Sequence, residues 1–454
     1  MLVAVLAFAG TNVARAEALL LVEAESGKVL EAQNATVPWH PASLSKLMTA
    51  YVTLKAVKDG KITFDTLFTV SPLASSQSPS KMGFRPGTQV TVDNALKMML
   101  VKSANDMAVV LAEGVGGSID GFSAMMNDTA RQLGMTQTNY VNPNGLPDDA
   151  QITSARDLAI LARAIIHDLP QYEYFVHIPS IRYGRRVVQN FNKLIGRYPG
   201  ADGFKTGFIC ASGYNLVASA TRNGRRLIAV VLGASSGKAR SLRAMQMLDR
   251  GFNGSALSFL KPSLGTVDSL VPADVPPPDL HDEVCGGHRH KPASDEDEDT
   301  VASSPDQSPS GALLAGLQQQ TLKPAEMLAA EAAPSEPVVV YTGPTRTGAA
   351  LIAAVAADTA SQTPPKRRGK KVHVAAKAKK PDGEKAAAKP KDAAGEARTE
   401  AGAKPAAHRA GGKAEGGAKR AAAATEPAAK PAKPKAAAKP KAEAKPEAKP
   451  KSNS

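Results

Sequence analysis

Cysteine is nearly missing: two residues, Cys210 and Cys285, in a chain of 454. That count excludes a dense disulfide framework and leaves a single intramolecular bridge open to the two thiols. Aromatic residues make up only 4%, with Trp39 the one tryptophan and Tyr341 the last aromatic of any kind. Nothing beyond Tyr341 therefore carries the large apolar side chains that a core needs, and the Ala/Lys/Pro-rich end buries too little surface to offset the entropy of ordering it. No stretch reaches the ~18 consecutive apolar residues of a membrane-spanning helix. Finally, net positive charge is absent from most of the chain. The total is +14, but residues 366 to 454 carry 25 basic and 9 acidic side chains, a net of +16. The first 365 residues hold 31 against 33, a net of −2.

The chain thus reads as one globular region of about 255 residues followed by a long polar extension. Residues 1–16 have the form of an export signal: an apolar run from Leu2 to Gly10, then Ala14-Arg15-Ala16 as a small-x-small cleavage pattern. No Lys or Arg precedes the run, which departs from the usual opening of such signals. Residues 17–255 are expected to form the folded domain. Residues 256–365 read as a Pro-rich and acidic linker, mostly disordered, with a weak helix near Thr321 to Ala332. Residues 366–454 read as a disordered basic tail.

Within the folded region the periodicity changes twice. Ala18 to Glu31 alternates around Glu25-Ser26-Gly27 as a hairpin, and Ala42 to Lys58 repeats apolar residues at helical spacing until Gly60. Asp93 and Asp106 read as the starts of two helices, a third follows from Ile119 to Leu133, and a fourth runs from about Ser154 to His167. Phe204–Phe208, Tyr214–Thr221 and Leu227–Gly233 then read as three strands, the last two joined by a turn at Arg222-Asn223-Gly224, and Lys238 to Phe252 as a closing helix. The expected architecture is an α/β fold of the α+β kind: an antiparallel sheet flanked by helices, with a mainly helical subdomain inserted.

Three short motifs carry chemistry. Ser43-Leu44-Ser45-Lys46 is an S-x-x-K at a helix start, where positions i and i+3 lie about 5 to 6 Å apart on one face. A partly desolvated lysine so placed can remove the serine proton, and the helix N-terminus stabilises developing negative charge. Ser45 is the competing hydroxyl, but it has no lysine three residues on. Ser103-Ala104-Asn105 sits in a break between helices, where a hydroxyl and an amide can relay a proton and hold a substrate amide. Lys205-Thr206-Gly207 opens a strand: a positive charge, a hydroxyl for a carboxylate, and a glycine that lets substrate backbone approach. Each motif alone is also what a helix cap or a surface strand looks like. Together, in this order and behind an export signal, they are the set S-x-x-K, S-x-N, K-T-G of penicillin-binding proteins and class A β-lactamases.

The surrounding segments PASLSKLMTAYV, SKMGFRPGTQVTV, MMLVKSANDMAVVLAE, NPNGLPDDAQITSARDLAILAR and DGFKTGFICASGYNLVASATRNGRRLIAVVLG resemble the low-molecular-weight penicillin-binding proteins, the serine D-alanyl-D-alanine carboxypeptidases of peptidase family S11. The resemblance covers about residues 18 to 255. It implies a β-lactamase/transpeptidase-like fold and removal of the terminal D-alanine from peptidoglycan pentapeptides through an acyl-enzyme, with β-lactams as inhibitors. It assigns Ser43 as nucleophile, Lys46 as its base, Ser103 as the proton relay and Asn105 as the residue orienting the peptide. Lys205 and Thr206 would anchor the terminal carboxylate, and the backbone N–H groups of Ser43 and Phe208 would form the oxyanion hole. Arg240 falls where the family places a carboxylate-binding arginine, with Arg243 and Lys238 as neighbouring competitors. Where relatives often have a polar residue after K-T-G, this chain has Phe208-Ile209-Cys210. Many relatives also continue into a small β domain and a membrane-docking helix, whereas here a Pro-rich stretch follows.

Rival readings share these residues. A β-lactamase would need a base for hydrolysing the acyl-enzyme, and no E-x-x-L-N occurs between Ser103 and Lys205. A DD-endopeptidase would cleave a chemically similar bond. From other classes come a non-catalytic envelope-binding protein and, for the tail, a histone H1-like nucleic-acid binder. Export turns the expected partner of the tail from nucleic acid to an anionic membrane or cell-wall polymer. The pattern of His281, Cys285, His288 and His290 would suit a metal only if the linker ordered around it, and no metal or cofactor is expected.

Overall fold

A computed structural model describes residues 17–254, 262–286 and 323–362. The proposed signal and the basic tail lie outside the described residues, as do His288 and His290.

The central layer is a five-stranded antiparallel sheet of β1 (Ala18–Glu23), β2 (Val29–Gln33), β7 (Ala201–Ile209), β8 (Gly213–Arg222) and β9 (Arg225–Ala234), in the spatial order β2-β1-β9-β8-β7. Its middle is apolar on both faces. Residues Leu227 to Leu232 of β9 and Tyr214 to Ala220 of β8 are buried without alternation, as expected of strands covered by helices on two sides. The covering elements are α6 (Ala155–Asp168) and the closing α8 (Gly237–Asn253), both packed on β8, β9 and β1. Asn223 and Gly224 both take positive φ, 51° and 73°, so the two-residue turn between β8 and β9 matches the strand twist.

The helical subdomain is built from α1 (Ser45–Lys58), α3 (Val92–Val101), α4 (Asn105–Gly116) and α5 (Ile119–Gln132). Helix α1 is buried nearly all round, its polar Ser45, Lys46, Thr49 and Thr53 included, and touches α3, α4, α5 and α6. Short elements fill the connections: β3 (Leu67–Thr69) pairs with β4 (Gln89–Thr91), flanking α2 (Pro72–Ser76), and α7 (Tyr174–His177) leads to the hairpin β5 (Ser180–Tyr183) and β6 (Arg186–Gln189).

Two helix starts differ from the sequence expectation. The cap of α3 is Thr91, whose hydroxyl accepts from Asn94 N, while Asp93 sits in the first turn and pairs with Lys97 at 2.6 Å. Asp106 lies one residue inside α4 and turns its carboxylate to another loop. Ser154 caps α6 through Asp157 N as the pattern suggests.

The larger difference is in residues 256–365, expected to be mostly linker. Residues 262–286 run along the sheet and end in α9 (His281–Cys285), which is tied to the end of β7 by a Cys210–Cys285 disulfide. The weak helix is present as α10 (Pro324–Ala329). After it, β10 (Val338–Val340) joins β5 in parallel, and α11 (Gly348–Ser361) packs against β5. The physical reason is that Val340, with no exposed surface, and Tyr341 complete a patch that β5 and α3 leave uncovered. A three-residue strand of this kind has no periodicity to read in isolation.

Candidate active site

The turn that carries Ser43 is strained at its first residue. Ala42 has φ +49°, a left-handed conformation unusual for a residue with a side chain, and it opens the single 3-10 turn Ala42–Leu44 that precedes α1. The turn separates the two serines. Ser45 is fully buried, donates to the Ala42 carbonyl at 2.9 Å and accepts from Gln151 Nε2 at 2.9 Å. Ser43 alone between Pro41 and Ala50 is more than marginally exposed, and it lines the cleft. Lys46 has no exposed surface; its Nζ donates to Ser43 Oγ at 2.8 Å and to the Asn144 carbonyl at 2.6 Å. Helical i,i+3 spacing supplies the first contact, and tertiary packing supplies the second.

Asn144 belongs to a turn, Asn142 to Leu146, that passes against the Ala42–Ser43 backbone. Gly145 has φ +78°, and a Cβ there would lie 1.7 Å from the Ala42 oxygen. The N-P-N-G string is a visible turn signal, but nothing in its spacing assigns it to the lysine.

Ser103 also has positive φ, +59°, between α3 and α4, and is 4% exposed. Asn105 Nδ2 donates to the Ser78 carbonyl at 2.9 Å and its backbone N–H to the Ser80 carbonyl at 2.8 Å. The next residue anchors this arrangement: the Asp106 carboxylate accepts from the backbone N–H groups of Met82 (3.1 Å), Gly83 (2.8 Å) and Met107 (3.0 Å). Burial nevertheless dominates and raises the Asp106 pKa above the ordinary carboxylate value. Asp106 thus fastens the loop at 78–83 to the S-A-N turn, a role its helix-start position does not announce.

Strand β7 is the edge of the sheet and brings the third motif past Ser43. A Cβ on Gly207 would stand 3.0 Å from the Pro41 oxygen and the Ser43 nitrogen and 3.1 Å from the Leu44 nitrogen, so only glycine allows this approach without displacement. Lys205 and Thr206 are each 1% exposed; Lys205 Nζ donates to the Thr206 carbonyl at 3.0 Å. The Thr206 hydroxyl is buried without a hydrogen-bond partner among the described residues. Phe208 stacks on Tyr214 at 4.3 Å, and the Arg240 guanidinium lies 5.5 Å from the Tyr214 ring with Nη1 3.4 Å from the Gly207 carbonyl. Its competitors point elsewhere: Arg243 pairs with Glu17 at 2.9 Å and Lys238 is exposed.

A cavity of about 480 Å³ adjoins these parts, lined by Ser43, Ser103, Asn105, Asn144 and Phe208 and also by Ile209, Ala211 and His281. Lys205, Thr206 and Arg240 lie behind this lining. Cys285 is in the disulfide, so it has no thiolate to give the metal set considered from the sequence. Among the described residues no group of three or more His, Cys, Asp or Glu could hold a metal ion.

The D-alanyl-D-alanine carboxypeptidase family, peptidase S11, matches residues 7–236. The D-alanyl-D-alanine carboxypeptidase DacC of Escherichia coli K12 is 39% identical over 245 residues, covering 52% of this chain and 61% of that protein. DacF of Bacillus subtilis is 35% identical over 246 residues, 52% and 62% respectively. The chain therefore spans about three-fifths of the length of these curated relatives. Among solved structures, penicillin binding protein 5 from Haemophilus influenzae superposes with a TM-score of 0.51 at 37% identity, covering 52% of this chain and 70% of that one. Penicillin binding protein 6B from Escherichia coli does so with a TM-score of 0.50 at 36% identity, covering 52% and 76%. With its first two motifs at one cleft, the third passing against the Ser43 turn, and half its length matched, the chain belongs to the D-alanyl-D-alanine carboxypeptidase family, peptidase S11.

Proposed function

We propose that this protein is a serine-type D-alanyl-D-alanine carboxypeptidase of the bacterial envelope, acting on peptidoglycan pentapeptides and acylated by β-lactams. The observation that carries the reading is the buried Lys46 amine 2.8 Å from the one cleft-facing serine of its turn, Ser43. The amine already touches the hydroxyl whose proton it must take, so Lys46 in its neutral form is a base in contact with its acid.

In this reading Ser43 Oγ attacks the carbonyl of the penultimate D-alanine and its proton passes to Lys46 Nζ. The carbonyl oxygen becomes an oxyanion between the N–H groups of Ser43 and Phe208, which the approach of β7 at Gly207 sets close together. Collapse breaks the amide bond, and the leaving D-alanine nitrogen takes a proton by way of Ser103. Water then hydrolyses the ester and restores Ser43. Asn105, held to the 78–80 loop, orients the peptide. The unpartnered Thr206 hydroxyl suits a substrate carboxylate, with Lys205 and Arg240 supplying positive charge from behind.

The test is D-alanine release from a pentapeptide by the native protein and by Ser43→Ala. Release by the native chain alone supports the assignment; equal release removes it. Rapid penicillin hydrolysis without a lasting acyl-enzyme would mark a β-lactamase, and failure to take up a fluorescent penicillin at all would mark a non-catalytic binder. For location, residues 1–16 act as an export signal and the tail of net +16 as an electrostatic tether to anionic envelope polymers. Envelope retention that is unchanged after deletion of residues 366–454 would sink the tether.

A further inference from the structure

The segment beyond the closing helix contributes a wall to the cleft. Leu280, just before helix α9, and Val284 and Cys285 within it turn inward, at 3%, 9% and 0% exposure. It is held to the end of β7 by the Cys210–Cys285 bridge and by Leu280 N–H donating to the Ala211 carbonyl at 2.9 Å. His281 is left on the outer side, half-exposed, with Nδ1 3.5 Å from the Asp282 carboxylate, and it lines the catalytic cavity beside Ile209 and Ala211.

That position has a meaning for an extended substrate. β7 is the sheet edge, and a peptide added antiparallel to it with its terminal carboxylate at Lys205-Thr206 and its reacting carbonyl at Ser43 runs upstream past Phe208 toward Ile209 and Ala211. The residue that precedes the two D-alanines then arrives at His281.

We propose that His281 is a specificity-determining residue of the carboxypeptidase reaction: its imidazole contacts the side chain immediately upstream of the D-alanine pair. The disulfide is the positioning device that keeps it there. The inference rests on the carboxypeptidase reading. Packing of an imidazole along an aliphatic or polar side chain rewards length at that substrate position and gives nothing to glycine.

The experiment compares acetyl-L-lysyl-D-alanyl-D-alanine with acetyl-glycyl-D-alanyl-D-alanine, reading D-alanine release as the ratio of the two kcat/KM values within each enzyme. The expected result is a preference of the native protein for the lysyl peptide that falls about five- to tenfold in His281→Ala, mainly through KM for the lysyl peptide. It falls similarly in Cys285→Ser. Because each ratio is internal to one enzyme, a general loss of activity does not mimic it. The native protein treated with and without reductant provides the same comparison should a variant fail to fold. A native enzyme indifferent to the two peptides, or a ratio unchanged in His281→Ala, overturns the assignment while leaving the carboxypeptidase intact. Absence of D-alanine release from either peptide by the native protein overturns the carboxypeptidase reading itself.

Discussion

Gly207→Ala is the most direct probe of how the sheet edge and the Ser43 turn cooperate. The substitution adds one methyl group whose carbon would stand 3.0 Å from the Ser43 nitrogen and the Pro41 oxygen, about 0.4 Å inside ordinary contact at 3.4 Å. The backbone of Gly207 lies within a regular strand, so alanine carries no conformational penalty there, and the three atoms it meets are all main chain. Main chain cannot rotate away, and the strand must retreat from the turn by a few tenths of an ångström. That retreat separates the N–H groups of Ser43 and Phe208. Losing one well-placed oxyanion donor outright costs about 10²–10³ in rate. A partial misplacement is expected to cost roughly 10- to 100-fold, or about 1.4 to 2.7 kcal/mol of barrier. The assay is the second-order rate of acylation by a fluorescent penicillin, with the thermal midpoint measured in parallel. A variant that folds and acylates within twofold of the native rate would refute the argument that this approach sets the oxyanion geometry.

Other outcomes follow from the same contacts. Lys46→Met removes the base while keeping length and burial, and acylation should fall by about 10³-fold in a stopped-flow labelling assay with folding retained. Arg240→Gln should raise KM for the pentapeptide well above the native value, whereas Arg243→Gln, which breaks only a partly exposed pair with Glu17, should change stability by less than about 1 kcal/mol and leave KM unaltered. Asp106→Asn leaves at least one of three backbone N–H groups without its acceptor and should cost about 1–3 kcal/mol in denaturant titrations near pH 5. Because burial raises the folded pKa of Asp106, its stabilisation is complete below its ordinary value of 3.8 and declines as pH rises through the raised one. The gap between native and variant should therefore narrow toward neutral pH, and a gap that widens would contradict the shift.

What could be read in advance follows interaction range. The Ser43–Lys46 pair is local: three residues on one helical turn place it whatever the rest of the chain does. The β8–β9 hairpin is likewise carried by Asn223-Gly224, and the core strands by their apolar runs. Asn144 was not legible as a partner of Lys46, 98 residues away, although its turn was visible as a turn. Asp106 looked like a helix start because acidic residues favour first turns, yet its three backbone partners place it as a loop anchor. Residues 323–362 read as mostly linker because a three-residue strand and an alanine-rich helix gain their stability only from the surface they cover.

By itself the sequence determined the chemistry on offer: which hydroxyl, amine, amide and guanidinium groups exist, their order, and the confinement of net positive charge to the last 89 residues. Tertiary structure decided which of the distant groups meet. It buried Ser45 against Gln151 while leaving Ser43 at the cleft, and it turned Arg240, not Arg243, toward Gly207. It also bent a segment from beyond the domain back through Cys285 so that His281 borders the cleft. Those choices depend on contacts between residues tens to hundreds of positions apart. Their geometry is fixed by packing of the whole core, and local propensity carries no record of it.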